Sequence, residues 1–216
     1  MNYKEILDTN YTIGKDLFKK YAQIWEVLPN IKNFILELGP NLDNKKYQKI
    51  GEDIWISNNA TIDDSAKIIG PCIIDDNAII RNNAYIRGSV IIGKNSIIGN
   101  SCEIKKSIIF DNVQIPHFNY VGDSIIGNNS HLGAGVILTN LRLDKKNILI
   151  NNKDTGLRKM GAIIGSNVDI GANSVIYPGS IIGNNTTIYP LVRIGGIIEN
   201  NSLIIDNKII IKKEEK

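Results

Sequence analysis

The sequence predicts an all-β fold in which short strands wind into a parallel β-helix of about seven coils. Isoleucine or another apolar residue recurs at every sixth position over most of the chain. Hydrophobic residues make up 43% of the chain but aromatic residues only 6%, so the core must be aliphatic. Asparagine, aspartate and glycine fall between the apolar positions, where they favour sharp turns.

The six-residue period starts at Ile50 and reaches Ile104, and Phe110 takes the next position. Two five-residue steps and an interruption follow, with inward residues expected at Ile115, Val121, Ile126, Leu132, Leu138, Ile164, Ile170, Ile176, Ile182, Ile188 and Ile194. A period of six fits neither an amphipathic helix nor an ordinary alternating strand. We interpret each hexapeptide as one strand and one corner, so that three make a triangular coil of about 18 residues.

The two cysteines, Cys72 and Cys102, both occupy a small inward position of the repeat. Their spacing of 30 residues is not a whole number of coils, which places them on different faces of the triangle. We therefore expect both to pack in the core and not to form a disulfide.

The ends of the chain follow other patterns. Residues 1–49 show helical apolar spacing, with Pro29 between two expected helices and Gly39-Pro40 after the second. We interpret this segment as a helical cap over the open first coil, because an open strand edge promotes aggregation. Residues 50–200 form the β-helix domain, and residues 201–216 a C-terminal hairpin and tail with a turn at Asp206-Asn207.

One insertion interrupts the repeat at residues 139–162. Its isoleucine, leucine and turn residues predict an extruded loop that contains a short hairpin. A long insertion in a solenoid usually maps to the functional face.

Composition excludes several classes of function. A formal net charge of +3 is too small to indicate nucleic-acid binding. No apolar run reaches the ~18 residues that span a membrane, and the first residues lack the pattern of a secretory signal, so a cytoplasmic protein is expected. The chain has two histidines, His117 and His131, fewer than the three that a β-helix zinc enzyme uses, and no metal site is predicted.

A dense motif surrounds these histidines. It consists of His117, Tyr120, Gly122-Asp123, Gly133-Ala134-Gly135 and Asn140. This string resembles the acetyltransferase domain of the bifunctional bacterial and archaeal enzymes that make UDP-N-acetylglucosamine. The segment from Thr155 to Gly165 is more similar to the archaeal members. The resemblance implies a hexapeptide-repeat acyltransferase with a left-handed β-helix.

The resemblance implies N-acetylation of an amino-sugar 1-phosphate by acetyl-CoA, in a homotrimer whose sites lie between neighbouring β-helices. His117 matches the general base, a role that suits imidazole at neutral pH. The substrate-binding positions are Arg87, Lys105, Tyr120, His131 and Asn140, and the acetyl-CoA positions are Ala134 and Ala172. Asp123 follows a glycine at a corner and is expected to stabilise the turn.

Spacing alone also groups part of this set. Arg87 and Lys105 are 18 residues apart and each follows an inward isoleucine, so they should stack one coil apart on one edge. Tyr120 should lie near that edge. Two cations in that position can clamp a phosphate.

Two positions depart from the family pattern. His131 stands where the bacterial enzymes have an asparagine that contacts the sugar, and Leu141 stands where they have a tyrosine. His131 is open to interpretation as a second base, a sugar contact or a surface residue. The amino sugar of the acceptor is glucosamine, galactosamine or another. Residues 1–49 are too short for the nucleotidyltransferase domain of the bifunctional enzymes. The alternative function is a noncatalytic trimeric scaffold or a partner subunit of a separate sugar-1-phosphate nucleotidyltransferase.

Overall fold

The computed structural model describes residues 3–206 and 210–212. Its strands, numbered in chain order, are β1 Tyr47–Gly51, β2 Ile54–Ser57, β3 Thr61–Ile62, β4 Lys67–Ile69, β5 Cys72–Ile74, β6 Ile79–Ile80, β7 Tyr85–Arg87, β8 Val90–Ile92, β9 Ile97–Asn100, β10 Glu103–Lys105, β11 Ser107–Ile109, β12 Gln114–His117, β13 Tyr120–Gly122, β14 Ile125–Ile126, β15 His131–Leu132, β16 Ile137–Leu138, β17 Leu149–Ile150, β18 Lys153–Asp154, β19 Ala162–Ile164, β20 Asp169–Ile170, β21 Val175–Ile176, β22 Ser180–Ile182, β23 Thr187–Ile188, β24 Arg193–Ile194, β25 Ile197–Ile198, β26 Ser202–Ile204 and β27 Ile210–Lys212. Most are two or three residues long, as the hexapeptide repeat predicts.

The strands form three parallel sheets, which are the faces of a triangular β-helix. Face A contains β2, β5, β8, β11, β14, β19, β22 and β25; face B contains β3, β6, β9, β12, β15, β20, β23 and β26; face C contains β4, β7, β10, β13, β16, β21 and β24. The chain visits the faces in the order A, B, C, and we name the corners AB, BC and CA. The coils number about eight, close to the predicted seven.

Turn residues shape the corners as the composition suggested. Asparagine adopts positive φ at one position of the AB corner in successive coils, for example at Asn95, Asn112 and Asn129. Asparagine tolerates this left-handed conformation better than most residues. Side-chain amides of neighbouring coils also pair there, with Asn95 Nδ2 3.0 Å from Asn112 Oδ1. Cys72 and Cys102 are free and buried on different faces, as predicted.

The predicted phase of the repeat is wrong at two positions. Ile50 lies in β1, which pairs antiparallel with β2 at the end of face A, and its side chain is 52% exposed. Ile109, not Phe110, takes the inward position, because it is in register with Ile92 on one side and Ile126 on the other. The first five-residue step therefore runs from Ile104 to Ile109, and not from Phe110 to Ile115 as the apolar pattern suggested.

The N-terminal segment contains little regular helix. It has two α-helices, α1 Lys15–Phe18 and α2 Ile31–Leu38, and four 3₁₀ helices, Tyr3–Glu5, Thr9–Tyr11, Ile24–Asn30 and Gly39–Asn41. Pro29 does not separate two α-helices as predicted. It lies inside the third 3₁₀ helix, which continues directly into α2.

This segment lies along the outside of face A instead of across the open end of the first coil, which corrects the expected position of the cap. Phe18 meets Phe110 edge to face, with ring centroids 5.6 Å apart, and Tyr11 O accepts the Asp111 N–H. Gly39 lies against the Trp55 ring, where an added Cβ would come within 2.4 Å of it. The outward isoleucines of face A are consequently buried, whereas Ile62 and Ile68 of the first coil are only half-buried.

The insertion leaves the β-helix after β16 and returns at β19. It contains the predicted hairpin, formed by the antiparallel strands β17 and β18. The hairpin folds back onto the protein, since Ile148 is buried against Gly179 and the Lys153 ammonium lies 5.8 Å from the Trp25 ring. Leu143, by contrast, is fully exposed.

The C-terminal hairpin pairs β26 with β27, in agreement with the prediction. Residue 207 of the expected turn and residues 213–216 of the expected tail lie outside the described residues.

Candidate active site

His117 lies at the BC corner, at the end of β12, with an exposed side chain. Its carbonyl oxygen accepts the Gly135 N–H at 2.9 Å from the next coil. The ladder continues from Asn173 N–H to Ala134 O at 2.8 Å and from Leu191 N–H to Ala172 O at 3.0 Å. His117 and the two alanines implied to bind acetyl-CoA therefore follow one another along a single edge of the β-helix.

Small residues are required on this edge. Gly135 has φ of +72°, and a Cβ there would come within 2.3 Å of Asn173 Oδ1. The exposed side chains of Phe118 and Leu191 flank the glycine and alanine positions. The result is an open edge with small residues between apolar ones, a shape that can receive an extended apolar chain.

Arg87 and Lys105 lie at the other edge of face C, beside the CA corner. Ile86 is in register with Ile104, so the two cations stack one coil apart, as their spacing predicted. Each faces a carboxylate: Arg87 Nη1 is 2.6 Å from Glu103 Oε1, and Lys105 Nζ is 3.6 Å from Asp123 Oδ2.

Asp123 is the centre of this edge, a role that the sequence analysis did not assign to it. Its carboxylate is nearly fully buried, accepts Asn140 Nδ2 at 2.6 Å, and lies 3.7 Å from the Lys106 ammonium as well as near Lys105. Two ammonium groups thus share one carboxylate. The available signal was the Lys105-Lys106 pair, placed one coil before Asp123.

Tyr120 extends across face C to the same cluster. Its hydroxyl oxygen accepts Asn140 Nδ2 at 3.1 Å, and burial, followed by the nearby charge of Asp123, raises the pKa of its phenol. The neutral phenol can donate its proton to a ligand oxygen. Gly122 makes room for the ring, because a Cβ at that position would come within 2.5 Å of the hydroxyl.

Four of the sequence-predicted substrate residues, Arg87, Lys105, Tyr120 and Asn140, are therefore brought together. His131 is not. It lies on face B, in β15, with its side chain 43% exposed and its Nδ1 3.4 Å from Asp169 Oδ1.

The two groups occupy opposite edges of face C. His117 and the alanine ladder form the BC edge, the cations and Asp123 form the CA edge, and Tyr120 lies between them. Among residues 3–206 and 210–212, no set of three histidine, cysteine, aspartate or glutamate side chains is placed to hold a metal ion. Over the same ranges, no helix is long and apolar enough to cross a bilayer.

Two family models match the β-helix. Residues 68–155 match the C-terminal domain of GMPPB, and residues 161–196 match the bacterial transferase hexapeptide with six repeats. The first match includes every residue of the CA cluster and both histidines. The hexapeptide match agrees with the predicted left-handed parallel β-helix.

Curated relatives include archaeal bifunctional proteins. The chain is 44% identical over 110 residues to the bifunctional protein GlmU of Methanococcus maripaludis strain C5, covering 49% of this chain and 27% of that protein. It is 44% identical over 86 residues to a bifunctional sugar-1-phosphate nucleotidylyltransferase/acetyltransferase of Sulfurisphaera tokodaii, covering 38% and 21%. The chain thus spans about a quarter of the length of the curated relatives it matches.

A solved structure of similar fold is that of an AntD mutant, an N-acyltransferase from Bacillus cereus. It is 17% identical with a TM-score of 0.43, and the match covers 79% of this chain and 91% of that one. This chain therefore carries hexapeptide transferase repeats and is similar in sequence to part of the archaeal GlmU-type bifunctional sugar-1-phosphate nucleotidylyltransferase/acetyltransferases.

Proposed function

We propose that this protein is an N-acetyltransferase that moves the acetyl group of acetyl-CoA to the nitrogen of an amino-sugar 1-phosphate. The observation that carries the proposal is the arrangement on face C, where His117 on one edge and the cation cluster on the other flank Tyr120. The 44% identity over 86 residues to an archaeal protein named as a bifunctional nucleotidylyltransferase/acetyltransferase supports the reaction class.

The CA edge suits a phosphate. Lys105 and Lys106 lie near one carboxylate, that of Asp123, so this part of the edge has one positive charge in excess. Arg87 is held by Glu103 at the neighbouring position and can turn to an incoming anion. Fixed cations on successive coils offer donors to two oxygens of one phosphate.

His117 supplies the base that amine acetylation needs. The amino nitrogen attacks the thioester carbonyl carbon, a C–N bond forms, and the ammonium proton of the intermediate passes to the imidazole. The C–S bond then breaks, and the departing thiolate takes up the proton. The backbone N–H of Ala134 would stabilise the oxyanion, since those of Gly133 and Gly135 already donate to Ile170 O and His117 O.

Acetyl-CoA is proposed to lie along the BC edge. Ala134 and Ala172 leave space there, and Phe118 and Leu191 offer apolar contact on either side. This placement directs the thioester toward His117 from the coils that follow it. No metal ion is needed for this transfer.

We propose a homotrimer, since a single chain leaves face C and the BC edge open to solvent. The N-terminal segment already covers face A, which leaves faces B and C for contacts between copies. Exposed Tyr85, Tyr177 and Tyr189 are available for such contacts. Light scattering should give about 72 kDa, three times the 23.9-kDa chain; a stable monomer at micromolar concentration would contradict the proposal.

The proposed compartment is the cytoplasm.

The deciding experiment is release of free thiol from acetyl-CoA with a panel of amino sugars and their 1-phosphates. Turnover with glucosamine 1-phosphate or galactosamine 1-phosphate, and much weaker turnover with the unphosphorylated sugars, is expected. A panel without turnover would favour the alternative of a scaffold or a nucleotidyltransferase partner. The preferred acceptor also bears on His131 and Leu141, the two positions that depart from the family pattern.

A further inference from the structure

Asn119 is a buried amide immediately behind His117, with 2% of its surface exposed. Its Oδ1 accepts the His117 backbone N–H at 3.1 Å and the Cys102 thiol at 3.4 Å. Its Nδ2 donates to Gly133 O at 2.7 Å and to Val136 O at 3.4 Å. All four hydrogen-bonding positions of the side-chain amide are thus in use.

These bonds close a circuit around the BC corner. His117 N–H is held by Asn119, Asn119 holds Gly133 O, and two residues later Gly135 N–H returns to His117 O at 2.9 Å. The backbone of His117 is therefore fixed at both its N–H and its carbonyl. The same circuit fixes it against the glycine–alanine segment proposed to receive the oxyanion.

The position is unusual for this residue type. The carbonyls of Cys102, Asn119, Val136, Ser174 and Val192 each accept the N–H that opens a face C strand, so these residues stack in one inward position of successive coils. The other four side chains are small and do not bridge to a neighbouring N–H at a candidate catalytic residue. A buried amide costs free energy unless it is fully paired, so its presence here calls for a specific reason.

We infer that Asn119 is a positioning residue that orients His117 relative to the acetyl carbonyl of the bound thioester. This inference rests on the proposed function. Asn119 contacts neither the imidazole nor the expected ligand path, so its effect passes through the His117 backbone. Displacement of a catalytic group by about 1 Å can cost 10²-fold in rate.

The matched variant is Asn119→Val, because valine occupies the same inward position at Val136 and Val192. Asn119→Ser is the second variant, after Ser174. Ser96→Val is the control: Ser96 is also buried, and its hydroxyl bonds the Phe110 carbonyl at 2.7 Å at the AB corner, away from face C. Circular dichroism and light scattering should show all three folded and assembled like the parent.

Asn119→Val is expected to lower kcat by about 10- to 100-fold, with the KM of acetyl-CoA and of the sugar phosphate changed less than twofold. Ser96→Val should leave all three constants unchanged. In a His117→Ala background, Asn119→Val should cause no further loss, because both changes act on one group. A kcat within twofold of the parent, or an equal loss in both backgrounds, would overturn the inference.

A second measurement does not depend on turnover. The chain has two histidines, so the ring proton resonances of His117 can be assigned by their disappearance in His117→Ala. Asn119→Val should shift or broaden the His117 signals and leave those of His131 in place. Unchanged His117 signals would refute the positioning role. Absence of activity in the parent protein would instead refute the proposed function, and the resonance comparison would still decide the role of Asn119.

Discussion

Phe18 of the N-terminal segment packs edge to face on Phe110 of the β-helix, with the two rings 5.6 Å apart and inclined at 77°. Both side chains are fully buried. The contact lies where one coil is a residue short, so that Phe110 falls just after the inward Ile109. An aromatic residue moved out of the inward position by a change in register thus anchors the N-terminal segment that covers face A.

Removal of this contact should destabilise the whole protein. Phe18→Ala leaves a cavity between the N-terminal segment and face A, and we expect a loss of about 3–5 kcal/mol in the free energy of unfolding. Denaturant titration measures it. Tyr11→Ala, in the same segment but 43% exposed, is the comparison and should cost less than about 1 kcal/mol. A loss for Phe18→Ala as small as that for Tyr11→Ala would mean that the N-terminal segment is only loosely attached to face A.

Asp111 is expected to weaken the fold at neutral pH. Burial raises the pKa of its carboxyl, and the nearby charge of Asp75 raises it further. A carboxyl whose pKa is raised on folding costs stability above the folded pKa, and the cost disappears as the pH falls through it. Asp111→Asn should therefore raise Tm at pH 7, with a gain that shrinks on acidification. The amide oxygen can still accept the Lys94 N–H that now lies 2.8 Å from Oδ1.

Asp63→Asn provides the opposite sign. Hydrogen bonds from the Ser65 hydroxyl and backbone N–H lower the pKa of the exposed Asp63 carboxyl. Its stabilising effect is present at neutral pH and lost as the pH falls through the folded pKa. This variant should lower Tm at pH 7, and the deficit should vanish in acid. Parallel behaviour of the two variants would show that neither environment acts as described.

The stacked cations should act on the acceptor. Changing Arg87 or Lys105 to alanine should raise the KM of the sugar phosphate while leaving that of acetyl-CoA nearly unchanged. The double variant should lose much less than the product of the single losses, because both side chains serve one phosphate. Arg81 is an exposed cation at the end of a face B strand, and Arg81→Ala is the control in the steady-state kinetics. A similar rise in both KM values would indicate a structural role.

His117→Ala tests the base. General-base catalysis contributes about 10²–10⁴-fold, so kcat should fall by that factor and the ascending limb of the pH–rate profile should disappear. Binding of acetyl-CoA, followed by calorimetry, should persist, because the proposed cofactor path follows Ala134 and Ala172. His131→Ala should leave the ascending limb in place, as its side chain lies on face B and not with the cluster of face C. A His117→Ala variant that retains more than about a third of the parent kcat would exclude this assignment.

The sequence by itself determined the architecture. An isoleucine at every sixth residue, with turn-forming residues between, leaves a triangular parallel β-helix as the arrangement that turns these isoleucines toward one interior, and the three sheets confirm it. Spacing by whole coils also placed Arg87 over Lys105 without further information. Periodicity succeeds here because each coil repeats the last, so a sequence separation converts directly into a position in space.

Only the tertiary structure decided how the N-terminal segment contacts the β-helix. The coil of 17 residues could be drawn with Ile109 or Phe110 inside, since both are apolar, and contact with Phe18 settles it. The position of the N-terminal segment could not be predicted either. Its amphipathic pattern indicates that it covers an apolar surface, but it does not indicate which surface. A signal for the covered face was present in the sequence. Face A strands carry a second isoleucine next to the inward one, at Ile73, Ile91 and Ile108, and these outward side chains are buried.

The candidate site divides in the same way. The motif pointed to His117, Tyr120 and Asn140, but the grouping of Tyr120 and Asn140 with the buried Asp123 depends on side-chain directions at a corner that no periodicity encodes. His131 is close to Tyr120 in sequence and belongs to the same motif, but it lies on a different face of the β-helix. In a β-helix, repeat spacing fixes where a backbone position lies, whereas the contacts that assemble a site come from corners, register changes and insertions that break the repeat.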